Sequence, residues 1–178
     1  MTVLVIQPSN ISPLGDLETY IVEGEIPYKS IQIERGDALP TSDAGFTALI
    51  VLGGEMSVND AALYPFIEST EQLIRMFHEK SKPILGICLG GQMIASAFSA
   101  AITRMPTKEF GLTLIHKASI AQSDPLFFDL PKRMKLCNIM KMYFPYQQRL
   151  CSSVAEMYVN NKLFELAATR MRCNFIQK

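Results

Sequence analysis

Residues 82–92 have the sequence KPILGICLGGQ, in which a single cysteine, Cys88, stands between glycines. The apolar residues Pro83 to Ile87 are typical of a short strand that is buried on both faces. The small and apolar residues from Leu89 to Phe98 predict a helix that follows at once. Cys88 is therefore expected at a turn from a strand to a helix.

The pattern G-x-C-x-G around Cys88 has the form of a nucleophile elbow, with a thiol as the nucleophile. Gly86 and Gly90, two residues to either side, let neighbouring backbone pass where a Cβ would clash. A thiol at the start of a helix meets unpaired N–H groups and the positive end of the helix dipole, which favour the thiolate. The amide of Leu89 is expected to point to the same place and to stabilise an oxyanion. The alternative is a buried structural cysteine in a glycine-containing turn.

Three further runs predict strands of the same sheet. Val3 to Ile6 and Thr47 to Leu52 are continuous apolar runs, whereas Ser30 to Glu34 alternates like an edge strand. Between the strands, helices are predicted from Tyr64 to Glu79 and, with Asp16 as the N-cap, through Val22. Strands that alternate with helices indicate an α/β fold, with a three-layer, mainly parallel sheet and helices on both faces.

A glycine pair, Gly53-Gly54, directly follows the predicted strand that ends at Leu52. In parallel sheets of this kind, chemistry gathers at the carboxyl ends of the strands. Gly53-Gly54 and Cys88 both fall at that edge. The backbone of Gly54 is therefore the natural candidate for a second oxyanion donor.

Length and composition limit the class of protein. A chain of 178 residues, 48% apolar and 19% charged, fits one globular domain that spans residues 1–178. Because 17 basic and 17 acidic residues balance, we expect no nucleic-acid partner and no membrane. The first apolar run has no basic lead-in, so no signal peptide is expected. The four cysteines show neither CxxC pairs nor zinc spacing, which predicts a cytoplasmic protein without a metal or a cofactor.

The elbow and the glutamine that follows it, Gln92, resemble the nucleophile motif of class I glutamine amidotransferases. The resemblance is greatest to stand-alone domains similar to the glutaminase part of GMP synthase. Three further segments agree, Val51–Asp60, Tyr64-Pro65 and Lys108–Gly111, and the resemblance covers residues 3–135. It implies a flavodoxin-like sheet.

The resemblance also implies an activity: hydrolysis of L-glutamine through a γ-glutamyl thioester, with the released ammonia passed to an acceptor. It implies that Cys88 is the nucleophile, that Gly54 and Leu89 supply oxyanion amides, and that Gly53 and Gln92 bind the substrate. The alternative for Gln92 is a solvent-facing residue on the first helical turn. Because the chain has no synthetase domain, the acceptor is expected to be a separate synthetase or a small molecule.

A cysteine nucleophile needs a general base, usually a histidine oriented by a third polar group. Members of this family carry these groups in a His-Pro-Glu run near the C-terminus, which this chain lacks. Its only histidines are His78 and His116. His78 closes the helix before the elbow strand, which predicts a distance on the order of 15 Å, one strand length, from Cys88. His116 is predicted at an exposed strand end, from which it could act as a substitute base.

The tail from Asn138 to Lys178 departs from the family and suggests a shifted reading frame. Joining the third base of each codon to the first two of the next permits HEDVFSLPA over Ile139–Gln148 and AFRIGRNAYAMQFHPE over Lys162–Lys178. These strings contain the histidine-acid segment and the QFHPE run that the family would place here, in that order. We therefore interpret the tail as the product of a single-nucleotide frameshift between about Lys135 and Ile139. The alternative is an unrelated C-terminal extension.

A frameshifted tail has structural consequences. Such a tail was not selected to pack on the sheet, and the loss of the final strands would leave apolar sheet surface exposed. Within the tail, Val154 to Met171 could form a helix by periodicity.

Two functions remain as alternatives to an impaired amidotransferase. One is a non-catalytic, degenerate domain of the same family. The other is a cysteine hydrolase of the DJ-1/PfpI type, which shares the sheet and the cysteine elbow. Proteins of that type place a glutamate on the loop after the first strand, and here Gln7 to Ser12 contains no acid.

Overall fold

The computed structural model describes residues 2–117, 129–143, 157–159, 162–164 and 166–169. Helices and strands alternate up to residue 97, after which only strands follow in the described part. The elements are β1 Val3–Gln7, α1 Asp16–Glu23, β2 Tyr28–Gln32, β3 Ala48–Val51, α2 Phe66–Glu79, β4 Ile84–Ile87, α3 Leu89–Ala97, β5 Thr103–Lys117, β6 Arg133–Tyr143, β7 Met157–Val159, β8 Lys162–Phe164 and β9 Leu166–Thr169.

The main sheet has the strand order β2-β1-β3-β4-β9. Strand β1 pairs in parallel with β2 and β3, and β3 pairs in parallel with β4. Strand β9 runs antiparallel to β4. The carboxyl ends of the four parallel strands therefore meet at one edge, where the loops after β1, β2, β3 and β4 lie together.

Helices cover both faces of this sheet. Leu4 and Ile6 of β1 join a core cluster with residues of α2 and α3, whereas Val5 joins Ile21 of α1 on the other face. This alternation follows from the two-residue period of a strand. The predicted three-layer, mainly parallel α/β fold is confirmed.

Strands β5 to β8 form a second, antiparallel sheet in the order β6-β5-β7-β8. Strands β5 and β6 pair from Thr103↔Tyr143 to His116↔Arg133, with an irregularity between Arg104 and Glu109. The sequence pattern indicates only the apolar run from Leu112 to Ile115 within this sheet. The other strands of this sheet form by antiparallel pairing with β5 or with each other.

Two local predictions are wrong. Asp16 is the first residue of α1 rather than its N-cap, which is Gly15 with φ 57°. Its carboxylate still lies at the positive end of the helix dipole. Val154 to Met171 contains strands rather than a helix wherever it is described, and Leu166–Thr169 packs on the main sheet as β9. The edge of β4 presents backbone N–H and C=O groups that pair with any extended segment, so strand pairing outweighs the weak helical period.

Asp43 anchors the loop before β3 to the residues that precede β4. Its side chain is buried, and its carboxylate accepts hydrogen bonds from Lys80 Nζ at 2.5 Å and from Lys82 Nζ. The Lys80 hydrogen bond, followed by the Lys82 hydrogen bond, lowers the pKa of Asp43 to about 2, against the opposing effect of burial.

We expect Asp43→Asn to lower the free energy of unfolding by about 1–2 kcal/mol at pH 7, because one buried charge pairs with two lysines. The pKa of Asp43 is lower in the folded chain than the ordinary value of about 4. The contribution of Asp43 to the free energy of unfolding is therefore fully present above pH 4 and is lost as the pH falls through its pKa in the folded chain, about 2. Urea unfolding at pH 7 and pH 2 measures this difference. Asp16→Asn, at an exposed position, is the control, and an equal cost of Asp43→Asn at both pH values would contradict the assignment.

Candidate active site

Cys88 occupies the turn between β4 and α3, with an exposed side chain. Its backbone has φ 54° and ψ −112°, a strained conformation for a residue with a Cβ. Its carbonyl accepts a hydrogen bond from Gln92 N at 3.1 Å, which begins α3. The predicted strand–turn–helix arrangement is present, and the alternative of a buried structural cysteine is wrong.

Gly86 and Gly90 permit this turn because backbone passes close to both. A Cβ on Gly90 would lie 2.1 Å from the carbonyl oxygen of Val51, and a Cβ on Gly86 would lie 2.6 Å from the carbonyl of Gly90. The start of α3 therefore packs directly against β3 and β4. Both positions of the elbow pattern therefore require glycine, because any side chain there would clash with backbone atoms.

The loop after β3 lies against the elbow. The position that a Cβ would take on Gly53 lies 3.4 Å from Cys88 Cβ, and the same position on Gly54 lies 3.2 Å from Leu89 Cδ2. Gly53 is buried and Gly54 partly exposed. The fold thus brings together Gly53, Gly54, Cys88 and Leu89, as the sequence predicted, whereas their roles in substrate and oxyanion binding stay predictions.

Gln92 is buried, with 5% of its surface exposed, so the alternative of a solvent-facing residue is wrong. Its Oε1 accepts a hydrogen bond from Val58 N at 3.4 Å. Val58 begins a 3-10 turn that Ser57 and Asp60 close with a reciprocal capping box. Gln92 therefore ties α3 to the segment that follows the glycine pair, and its contact with substrate stays a prediction.

The loop after β1 is held by the carboxylate of Glu34, which follows the neighbouring strand β2. Glu34 Oε1 accepts a hydrogen bond from Ser9 Oγ at 3.3 Å, and its Oε2 accepts one from Asn10 N at 2.7 Å. Hydrogen bonding with Ser9, with the backbone amide of Glu55 itself and, to a lesser extent, with Glu34 lowers the pKa of the Glu55 carboxyl, although burial opposes this shift. The side chains of Glu34 and Glu55 thus converge on Ser9, which is 1% exposed.

Sequence reasoning missed this cluster because the loop from Gln7 to Ser12 contains no acid. A usable signal existed: Glu34 follows β2, and parallel pairing of β1 with β2 brings the exits of both strands to one edge. The acidic residue, Glu34, therefore follows the adjacent strand β2 and does not belong to the loop after β1.

The histidines lie in different places. His78 is in the last turn of α2, and its ring packs edge-on against that of Phe98 with centroids 4.7 Å apart. His116 lies near the end of β5, where its backbone pairs with Arg133 and Tyr158. The residues that would encode a shifted QFHPE run, at the end of the chain, lie outside the described residues.

The described residues offer neither a metal cluster nor a membrane-spanning helix. Within 2–117 and the described segments after it, no group of three or more histidine, cysteine, aspartate or glutamate residues could hold a metal ion. In the same part of the chain, no helix has the length and apolar character needed to cross a bilayer.

Known proteins are similar to this chain in sequence. The family model for glutamine amidotransferase class-I matches residues 16–137. The glutamine amidotransferase-like protein YfeJ of Salmonella typhimurium is 32% identical over 83 residues, covering 45% of this chain and 35% of that protein. One subunit of the glutamine-hydrolyzing GMP synthase of Pyrococcus abyssi is 35% identical over 75 residues, covering 40% of this chain and 38% of that protein. The matches thus span well under half the length of these curated relatives.

A solved structure agrees over most of the chain. The crystal structure of a glutamine amidotransferase from Thermotoga maritima matches with a TM-score of 0.80 and 25% identity, covering 92% of this chain and 69% of that chain.

Proposed function

The chain belongs to the class I glutamine amidotransferase family, and from this we propose that Cys88 hydrolyses L-glutamine and releases ammonia for transfer. The observation that carries the proposal is the exposed thiol of Cys88 on a strained turn, beside the buried Gly53. A thiol in this position can reach a bound carboxamide while backbone amides stand close to it.

In the proposed reaction, the Cys88 thiolate attacks the γ-carboxamide carbon of glutamine and forms a tetrahedral oxyanion. The amides of Gly54 and Leu89 stabilise this oxyanion. The nitrogen takes up the proton that the Cys88 thiol released, the carbon–nitrogen bond then breaks, and ammonia leaves. Water attacks the γ-glutamyl thioester, which releases glutamate and restores the thiol. Gly53 and Gln92 hold the substrate.

Proton transfer is expected to be slow in this chain because the general base is missing. A general base and its orienting carboxylate are expected in the QFHPE run that a shifted frame permits after residue 162. As written, the sequence has Cys-Asn-Phe-Ile-Gln-Lys over residues 173–178 instead. We therefore propose that this chain binds and attacks glutamine but turns it over slowly.

The ammonia acceptor is proposed to be a separate synthetase or a small molecule. Relatives that are named as subunits of GMP synthase support the first of these. A cytoplasmic location is proposed as well, because the four cysteines show neither CxxC pairs nor zinc spacing.

One observation favours a second candidate, a degenerate, non-catalytic domain: the chain lacks a His-Pro-Glu run. For such a domain, the Cys88→Ala variant and the unsubstituted chain would give the same result in any functional assay. The family match favours both of these candidates over a cysteine hydrolase of the DJ-1/PfpI type.

Treatment with a glutamine-mimicking chloroketone tests the proposal. We expect alkylation of Cys88 by the L-enantiomer, and a drop of about 100-fold or more in labelling for Cys88→Ala because the thiolate is the only attacking group at this position. Peptide mass spectrometry measures the labelled residue.

Cys151→Ala is the matched control, because we assign Cys151 no role, and it should label like the unsubstituted chain. The proposal fails if the D-enantiomer labels Cys88 as fast as the L-enantiomer, since the thiol would then be reactive without a glutamine site.

A further inference from the structure

Ser12, on the loop after β1, shares a small space with the thiol-bearing residue. The position of a Cβ on Gly53 lies 3.5 Å from Ser12 Oγ and 3.4 Å from Cys88 Cβ. An atom at this position beside Gly53 would therefore contact the side chains of both Ser12 and Cys88. Ser12 is partly buried, so its hydroxyl borders this space without being fully open to solvent.

The loop that carries Ser12 is held in place by hydrogen bonds. Ser12 N donates to Ser9 O at 3.3 Å, and Ile11 N donates to Ser9 Oγ at 3.4 Å. Glu34 holds Ser9 Oγ and Asn10 N with its two carboxylate oxygens. The position of Ser12 thus depends on a carboxylate that follows a different strand.

We propose that the Ser12 hydroxyl is a substrate-binding group that accepts a hydrogen bond from the carboxamide NH₂ of glutamine, and that Glu34 is a positioning residue for it. This inference rests on the proposed function. If backbone amides hold the carbonyl oxygen, the NH₂ group is the polar substituent left on the reacting carbon. A hydroxyl can accept from it.

Glutamate presents a second carboxylate oxygen where glutamine presents N–H donors. The Ser12 hydroxyl would meet the amide as an acceptor, whereas toward a carboxylate it would have to turn and act as a donor. The proposed role as an acceptor therefore predicts a larger effect of Ser12 on the binding of glutamine than on the binding of glutamate.

Protection of Cys88 from iodoacetamide tests this inference on the full chain. The concentration of L-glutamine that halves the alkylation rate should rise about 3- to 10-fold in Ser12→Ala, the effect of one lost hydrogen bond. The half-protecting concentration of L-glutamate should change less than 2-fold, so the preference for the amide shrinks. The alkylation rate without ligand is measured for each variant, and protection is expressed relative to that rate.

Ser42→Ala is the matched control, because the exposed Ser42 neighbours Asp43, which pairs with the lysines before β4 and so lies toward the opposite edge of the sheet. Ser12→Thr, which keeps the hydroxyl, should retain the preference for glutamine, and Glu34→Ala should lose it. Equal protection of Ser12→Ala and the unsubstituted chain would overturn the role of Ser12 and leave the proposed function intact. Absence of any protection of the unsubstituted chain by glutamine would overturn both.

Discussion

Glutamine hydrolysis should rise by about 10³-fold or more when the reading frame is shifted by one nucleotide between the codons of Lys135 and Ile139. The shifted frame permits a histidine and a glutamate in a QFHPE run, which would supply the base and its orienting group. Members of a catalytic set act as a unit, so loss of the base costs nearly as much as loss of the whole set. Glutamate release under saturating glutamine measures the gain.

Two further chains make this experiment decisive. The frame-shifted chain with Cys88→Ala should stay at background, because the nucleophile is then absent. The frame-shifted chain with the new histidine replaced by alanine should fall back to the rate of the original chain. Ordinary glutaminase turnover by the original chain would contradict the prediction, as would coding DNA that has no insertion or deletion across these codons relative to the genes of related proteins.

Gly90→Ala should destabilise the fold by about 3 kcal/mol or more, at the upper end of overpacking effects. The new Cβ would lie 2.1 Å from the carbonyl oxygen of Val51, and that oxygen belongs to β3 at the centre of the sheet. Neither the strand nor the start of α3 can move without breaking other contacts of the core. Urea unfolding followed by circular dichroism measures the loss.

Gly53→Ala is the matched control for stability. Its Cβ would meet Cys88 Cβ at 3.4 Å and Ser12 Oγ at 3.5 Å, which are ordinary contact distances. The free energy of unfolding should therefore change by less than about 1 kcal/mol, whereas chloroketone labelling should fall because a methyl group fills the space beside the thiol. A stability of Gly90→Ala equal to that of Gly53→Ala would show that α3 does not pack on β3 as described.

Local patterns in the sequence predicted the elements that carry the nucleophile. A short apolar run, two spaced glycines and a small-residue helix are all contained in residues 82–98, so no distant residue was needed to place Cys88 at a turn. The same holds for Gly53-Gly54, which follows a recognisable strand. The parallel sheet then brings the two turns to one edge.

Contacts between distant segments of the chain decided features that local sequence patterns could not predict. Glu34 reaches the loop after β1 because β1 and β2 pair in parallel, and the burial of Gln92 depends on where the segment around Val58 folds back. The strand at Leu166–Thr169 forms because the edge of β4 offers backbone groups to pair with, whatever the helical period of the tail.

The amino-acid sequence by itself determined the α/β class, the elbow and the position of its thiol, because periodicity and glycine spacing act within a few residues. Only the tertiary structure decided which side chains surround that thiol, among them Ser12 and the carboxylate that holds its loop. These neighbours are set by strand order and register, which join residues that lie far apart along the chain.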